Sequence, residues 1–145
     1  MTQEEKNLLK IDLCCRLPYN VKVHAKYTEL GETIEVDGIV KMVDTDGFVG
    51  IEVMYDTSSS YICVDIDNVK PYLFPLSNMT EEQFNEMYNY CYNAEREASK
   101  FSNGELKIIY NYELFKFDYL NRNNYDYRGF IPTGLANDAT NLNIY

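Results

Sequence analysis

The sequence predicts one packed unit of the α+β class, with helices near its two ends and a meander of strands between them. Three patterns lead to this prediction. Leucines recur at four-residue spacing near the start of the chain, apolar and polar residues alternate over about residues 20–74, and a helical stripe returns after Pro75. The length of 145 residues and the 46% share of apolar residues fit a single globular domain with appendages.

A helix over about residues 2–16 is the first predicted element. Thr2 and Glu5 have the spacing of a capping box, in which each side chain bonds the other residue's backbone N–H. Three leucines then recur on one helical face: Leu9, Leu13 and Leu17. Pro18 ends the helix because proline lacks the backbone N–H that a further turn needs.

Five strands are predicted next, at residues 21–27, 33–43, 48–55, 61–64 and 70–74. Gly38 indicates a bulge or a sharp coil within the second strand, and Asp44 to Gly47 form a tight turn after it. Residues 65–69 form one tight helical turn before the fifth strand, which Pro71 marks as an edge strand. Alternation places four apolar side chains of the second strand on one face: Ile34, Val36, Val40 and Met42.

Four meandering strands, one helical turn and a short closing strand resemble, in order and spacing, the SH3-like small barrel. The resemblance covers about residues 20–74 and implies a five-stranded barrel that follows the N-terminal helix, within a unit of residues 1–76. Barrels of this kind mostly recognise peptides, nucleic acids or other proteins, so the resemblance implies binding without naming the ligand.

A helix over about residues 81–99 is predicted to open a C-terminal extension, residues 77–145, that packs with the barrel as one unit. A capping box and a hydrophobic staple mark the start of this helix: Thr80 with Gln83, and Met79 with Phe84. The predicted apolar stripe of the helix is Phe84, Met87, Tyr88, Cys91, Ala94 and Ala98. Residues 105–121 fit either a strand or a short helix.

The tail of this extension is rich in apolar side chains and is expected to pack against the body: Tyr125, Tyr127, Phe130, Ile131 and Leu135. Arg128 has two interpretations. The first is an ion pair or a carbonyl contact that holds the tail in place. The second is an anchor for a partner, since arginine is enriched at interface hot spots.

Four segments of the chain carry a family resemblance: residues 16–19, 21–23, 65–73 and 118–136. The last of these segments contains Tyr125-Asp126-Tyr127-Arg128-Gly129-Phe130. Together the segments resemble a family of short uncharacterised proteins of gut bacteria, their phages and their mobile elements. The resemblance implies an intracellular, phage-related accessory protein and brings no catalytic residue with it.

The four cysteines are expected to be reduced, and two of them, Cys63 and Cys91, to be buried on apolar stripes. With no Cys-x-x-Cys motif and a single histidine, His24, the chain lacks the ligand spacing of a zinc site. His24 falls between Lys22 and Lys26 on the exposed face of the first strand. A polar start and the absence of a long apolar run predict a cytoplasmic protein without a membrane span.

Acidic residues are concentrated in the middle of the chain, whose net charge is -10. Residues 27–69 hold ten acids and one base, Lys41, so the predicted strands repel phosphate groups and disfavour direct nucleic-acid binding. Three of these acids are candidates for contact with a basic partner: Glu35, Asp37 and Glu52.

The sequence contains no catalytic constellation, phosphate-binding glycine motif or complete calcium loop. We therefore predict a non-catalytic protein-interaction module with no cofactor and no metal. Its candidate contact residues are Arg128, Tyr127, Tyr125, Glu35, Asp37 and Glu52. Two nucleic-acid roles are the alternatives: acidic mimicry of a phosphate backbone, or weak direct binding through Lys22, His24 and Lys26.

Overall fold

A computed structural model describes residues 1–55, 58–99 and 112–145. The first half holds helix α1 (Gln3–Arg16) and strands β1 (Lys22–Glu29), β2 (Glu32–Val43), β3 (Phe48–Met54), β4 (Ser59–Asp65) and β5 (Val69–Pro75). The second half holds helices α2 (Glu81–Ser99) and α3 (Tyr112–Arg122), strand β6 (Tyr125–Asp126), helix α4 (Phe130–Thr133) and strand β7 (Asn137–Asp138). The predicted α+β class, with an N-terminal helix, a barrel-like sheet and C-terminal helices, is confirmed.

The strands form one curled, mixed sheet in the order β4-β3-β2-β1-β5-β6, with β7 also paired to β5. Strands β1 to β4 form the predicted antiparallel meander, and β5 returns to pair with β1. The prediction that β5 is an edge strand holds only for residues 69–71, which contain Pro71 and pair with β1 alone. Residues 72–75 instead pair in parallel with the tail strands β6 and β7, so the tail extends the sheet.

The main core lies between α1 and the inner face of the sheet. The capping box of α1 is confirmed, because Thr2 Oγ1 accepts from Glu5 N (3.2 Å) and Thr2 N donates to Glu5 Oε2 (2.6 Å). The fully buried members of this core are Leu9, Leu13, Val21, Val23, Ala25, Val40, Val49, Ile51, Val69 and Leu73. The helix therefore buries its leucine stripe against alternate residues of the strands.

The predicted bulge in β2 lies at a different residue from the one expected. The register with β3 shifts between Val40 and Met42, and not at Gly38. This shift turns Met42 out to solvent, so the prediction that it shares a face with buried Val40 is wrong. Gly38 is needed for close packing, since a Cβ there would lie 2.5 Å from Ile51 Cγ2.

A second, smaller core joins α2, α3 and the tail. Its buried members are Met87, Cys91, Tyr119, Leu120 and Tyr125. The bounds predicted for α2 are confirmed, as is its capping box, in which Thr80 Oγ1 accepts from Gln83 N (3.2 Å). Phe84 and Tyr88 are exposed, so the apolar stripe of α2 is narrower than predicted. Of the ambiguous segment, residues 112–121 are helical, while residues 105–111 and the predicted stripe residue Ala98 lie outside the described side chains.

Candidate protein-interaction surface

The predicted contact residue Arg128 holds the tail to α1. Its Nε donates to Asp12 Oδ1 (3.1 Å), and the same carboxylate accepts from Arg16 Nε (2.7 Å) and Nη2 (3.2 Å). Asp12 and Arg16 are fully buried, and Arg16 Nη2 also donates to the carbonyl of Tyr125 (2.9 Å). Two guanidinium groups therefore share one buried carboxylate and connect the first helix to the tail.

The two tyrosines predicted beside Arg128 also take part in packing the tail. The Tyr127 ring lies within cation–π distance of the guanidinium groups of both Arg16 and Arg128, with centroid distances of 5.4 and 5.0 Å. Its hydroxyl donates to Asn121 Oδ1 (3.0 Å). The Tyr125 ring is buried in the second core, which places it out of reach of a partner. The expected packing of the tail against the body is confirmed.

The three predicted acidic contact residues lie beside bases on neighbouring strands. The pairs are Lys26 with Glu35 (2.5 Å), His24 with Asp37 (2.9 Å) and Lys41 with Glu52 (3.4 Å). The hydrogen bond from Lys26 lowers the pKa of Glu35, and Asp37 also accepts from Tyr72 Oη (2.8 Å). The predicted acidic and basic faces are thus one surface on which opposite charges neutralise each other locally.

A free strand edge lies at the other end of the sheet. Among the described residues β4 is the terminal strand and pairs with β3. Two backbone bonds bracket this ladder: Ile66 N to Gly47 O (2.9 Å) and Tyr55 N to Ser58 O (2.7 Å). Since bonded and non-bonded pairs alternate in an antiparallel ladder, the even-numbered residues of β4 bond to β3. The backbone N–H and C=O groups of residues 59, 61 and 63 therefore point away from the sheet, and we call this row the β4 edge.

The side chains beside the β4 edge form an exposed apolar face. Residues directly opposite each other on neighbouring strands share one face of a sheet, and Tyr61 pairs with Glu52 while Cys63 pairs with Gly50. The exposed apolar side chains on this outer face are Met42, Phe48, Met54, Tyr61 and Cys63. Tyr61 is 68% exposed, which makes it the most accessible ring of the sheet in the described residues.

The prediction that Cys63 is buried is wrong. Its side chain points outward from the terminal strand, opposite Gly50, which has no side chain to cover it. Cys91 is buried in the second core, as predicted, whereas Cys14 and Cys15 are exposed on α1. No disulfide joins any two of the four cysteines, all of which lie in the described part of the chain.

The one charged side chain of β4, Asp65 at its end, is acidic. Glu52, which is paired with Lys41, lies opposite Tyr61 and accepts from its hydroxyl (3.4 Å). The sequence of β4, Ser59–Asp65, contains no lysine, arginine or proline, which are the residues that natural edge strands use against pairing with another chain. As far as residues 1–55, 58–99 and 112–145 go, the β4 edge is therefore open to a further strand in both its backbone groups and its side chains.

Sequence reasoning did not identify this edge, although one signal pointed to it. A meander whose fifth strand returns to the first leaves the fourth strand with a single neighbour. Which strands become neighbours depends on where the fifth strand packs in the folded chain, and here it pairs with the first. The alternation of Tyr61 and Cys63 with Ile62 and Val64 shows two faces but not which of them is covered.

Comparisons with protein families, curated proteins and solved structures gave no match. No helix in the described ranges is both long and apolar enough to cross a membrane. Within those same ranges, no three His, Cys, Asp or Glu side chains are grouped so as to hold a metal ion.

Proposed function

We propose that this chain is a non-catalytic protein-interaction module that binds an extended, basic segment of a partner protein along the β4 edge. The observation that carries the proposal is the coincidence of two features on one strand. Among the described residues, unpaired backbone groups at residues 59, 61 and 63 lie directly beside exposed apolar side chains. A peptide that adds a strand to a sheet uses both features, with main-chain hydrogen bonds for affinity and alternate side chains for specificity.

The side chains of the β4 edge define the chemistry of the segment that would bind. Alternate residues of an added strand would lie beside Tyr61 and Cys63, the exposed outer-face side chains of β4, which favours apolar side chains at those positions. The net charge of -10, with Asp65 on the strand itself, favours Lys or Arg elsewhere in the segment. Residues of alternating apolar and basic character meet both conditions.

A second copy of this chain is a poorer occupant of the β4 edge. Pairing two copies of β4 brings together two chains that each carry a net charge of -10, and it adds no basic side chain to the interface from β4 itself. Like charges across an interface suppress association. A basic partner is attracted by the same field.

Acidic mimicry of a nucleic acid has less support from the geometry. Such a role needs a row of uncompensated carboxylates, whereas Glu35, Asp37 and Glu52 each lie next to a base. Direct binding through Lys22, His24 and Lys26 meets the same difficulty, because two of these bases are engaged by the acids. The hypotheses of a cytoplasmic location and of a phage-related accessory role rest on the sequence alone.

Selection from a displayed library of random heptapeptides tests the proposal. We expect enriched peptides to alternate apolar residues with Lys or Arg. Tyr61→Lys places on the β4 edge a positive charge that repels a basic peptide. The variant should weaken the affinity for the enriched peptides by about tenfold or more.

Tyr92→Lys is the matched control for that variant. It makes the same chemical change at a tyrosine that is 56% exposed on α2, away from the sheet, and should leave peptide binding unchanged. Failure of the library to enrich any peptide, or equal weakening by both variants, would contradict binding at the β4 edge.

A further inference from the structure

The hairpin of β1 and β2 extends beyond the rest of the sheet. Strand β1 pairs with β5 only over residues 23–25, and β2 pairs with β3 only from residue 39 onward. Among the described residues, positions 26–29 and 32–35 therefore pair with each other alone. We call residues 26–35 the hairpin arm. Leu30 lies in the turn at its tip, and this side chain is 100% exposed.

The turn of the hairpin arm holds a leucine in a backbone conformation that leucine rarely adopts. Leu30 and Gly31 form a two-residue turn and both have a positive φ angle, 52° and 88°, a geometry for which Asn-Gly is the preferred pair. The other non-glycine residues with positive φ in the described ranges are all asparagines: Asn20, Asn124 and Asn141. Leu30 therefore strains the turn and gains no packing in return, because its side chain is fully exposed.

The charges beside this turn are also unfavourable for the isolated chain. Glu29 and Glu32 are exposed and lie directly opposite each other on the two strands. Like charges in that arrangement repel each other. The one base of the hairpin arm, Lys26, is engaged by Glu35 (2.5 Å). The arm therefore leaves its two terminal carboxylates without a counter-charge.

A bound partner of suitable chemistry would remove both costs. An apolar pocket would take the Leu30 side chain out of water, and Lys or Arg at the rim of that pocket would offset the repulsion between Glu29 and Glu32. We infer that the tip of the hairpin arm is a second contact site, formed by other residues than the β4 edge. At this site Leu30 inserts into an apolar pocket of a partner protein whose rim is basic. An apolar centre with a polar rim is the usual anatomy of a protein interface.

Other occupants fit the tip of the hairpin arm less well. The negative surface of an anionic membrane and the phosphates of a nucleic acid both repel Glu29 and Glu32. A second copy of the chain carries the same net charge of -10 and is repelled as a whole. A protein pocket with a basic rim is the occupant whose charge complements the two carboxylates.

Thermal unfolding of Leu30→Asn tests whether this leucine serves the fold. Asparagine tolerates a positive φ angle better than leucine does, so the variant should melt about 2–5 °C above the wild type. A melting temperature below that of the wild type would show that Leu30 stabilises the chain, and it would overturn the inference.

Photo-cross-linking of the full chain tests the contact itself. The full chain with p-benzoylphenylalanine in place of Leu30 is irradiated in a lysate of the cells that carry the gene. The control has the same group in place of Leu114, which is 66% exposed on α3. We expect an adduct specific to position 30, in which the cross-linked partner peptide contains apolar residues next to Lys or Arg. The inference fails if no adduct is specific to position 30, or if the adduct is with a second copy of the chain, a lipid or a nucleic acid.

Binding of the purified cross-linked partner then tests the roles of the side chains. Leu30→Asn, and separately Glu29→Lys combined with Glu32→Lys, should each weaken binding by about tenfold or more. Exchanging the basic rim residues of the partner for Glu should restore binding of the charge-reversed variant. Leu114→Asn, the matched control, should have no effect.

Unchanged affinity of Leu30→Asn, or no restoration by the charge exchange, would contradict insertion of the arm. Peptides selected for the β4 edge should bind Leu30→Asn as tightly as the wild type. That measurement separates a failure at the hairpin arm from a failure at the β4 edge.

Discussion

Replacing Asp12 by alanine removes the carboxylate that Arg16 and Arg128 share. The variant loses three hydrogen bonds to charged groups, at 2.7, 3.2 and 3.1 Å, within a site where Asp12 and Arg16 are fully buried. Arg16 then keeps a buried positive charge whose remaining bond is to the carbonyl of Tyr125. The loss should therefore exceed the value of an exposed ion pair, because the charge that stays behind is desolvated.

The expected loss in the free energy of unfolding is about 3–5 kcal/mol, the range found when one partner of a buried ion pair is removed. For a chain of this size, that loss lowers the melting temperature by roughly 6–20 °C. The loss in unfolding free energy caused by Arg128→Gln provides a reference value for this comparison. The Arg128 side chain is 28% exposed and forms one of the three bonds, so its replacement should cost only about 1 kcal/mol.

Urea denaturation of the wild type, of Asp12→Ala and of Arg128→Gln measures these differences. The double variant Asp12→Leu with Arg16→Met should be more stable than Asp12→Ala alone, because no charge is left in the core. If Asp12→Ala cost less than about 1 kcal/mol, or no more than Arg128→Gln, the reasoning about the buried carboxylate would be refuted.

Three further predictions concern local features of the chain. Thr80→Ala removes the cap of α2 and should cost about 1 kcal/mol in a urea melt, whereas an unchanged midpoint would show that the helix does not depend on this cap. A thiol reagent should label Cys63 in the native protein and Cys91 only after unfolding, and rapid native labelling of Cys91 would contradict its position in the second core. Burial, followed by a hydrogen bond to a carboxylate, raises the pKa of Tyr72 and of Tyr119 from 10.0 to about 12. The stability they contribute is fully present below pH 10 and is lost as the pH rises through about 12, so a flat unfolding free energy between these values would contradict the assignment.

The parts of the fold that could be predicted from the sequence are those specified by neighbouring residues. Both capping boxes, at Thr2 and Thr80, depend on a residue three positions away and were predicted correctly. The strands of the meander follow from alternation, which is also a local pattern.

The errors concern features set by distant parts of the chain. The position of the bulge after Val40 depends on how β2 packs on β3, and the exposure of Cys63 depends on the absence of a described neighbour for β4. His24, predicted on the exposed face of the first strand between Lys22 and Lys26, has a carboxylate partner that was not predicted. Its partner Asp37 is 13 residues away in sequence but directly opposite on the next strand. The spacing of residues along one strand does not show which side chains pair across neighbouring strands.

Backbone hydrogen exchange at β4, with and without a peptide selected from the heptapeptide library, tests binding at the β4 edge most directly. In the free protein, the amides of Ile62 and Val64, which bond to β3, should exchange slowly, and those of Tyr61 and Cys63 should exchange fast. Saturation with the peptide should slow Tyr61 and Cys63 to rates similar to those of their neighbours. If the peptide binds but Tyr61 and Cys63 continue to exchange as in the free protein, the partner does not add a strand at this edge.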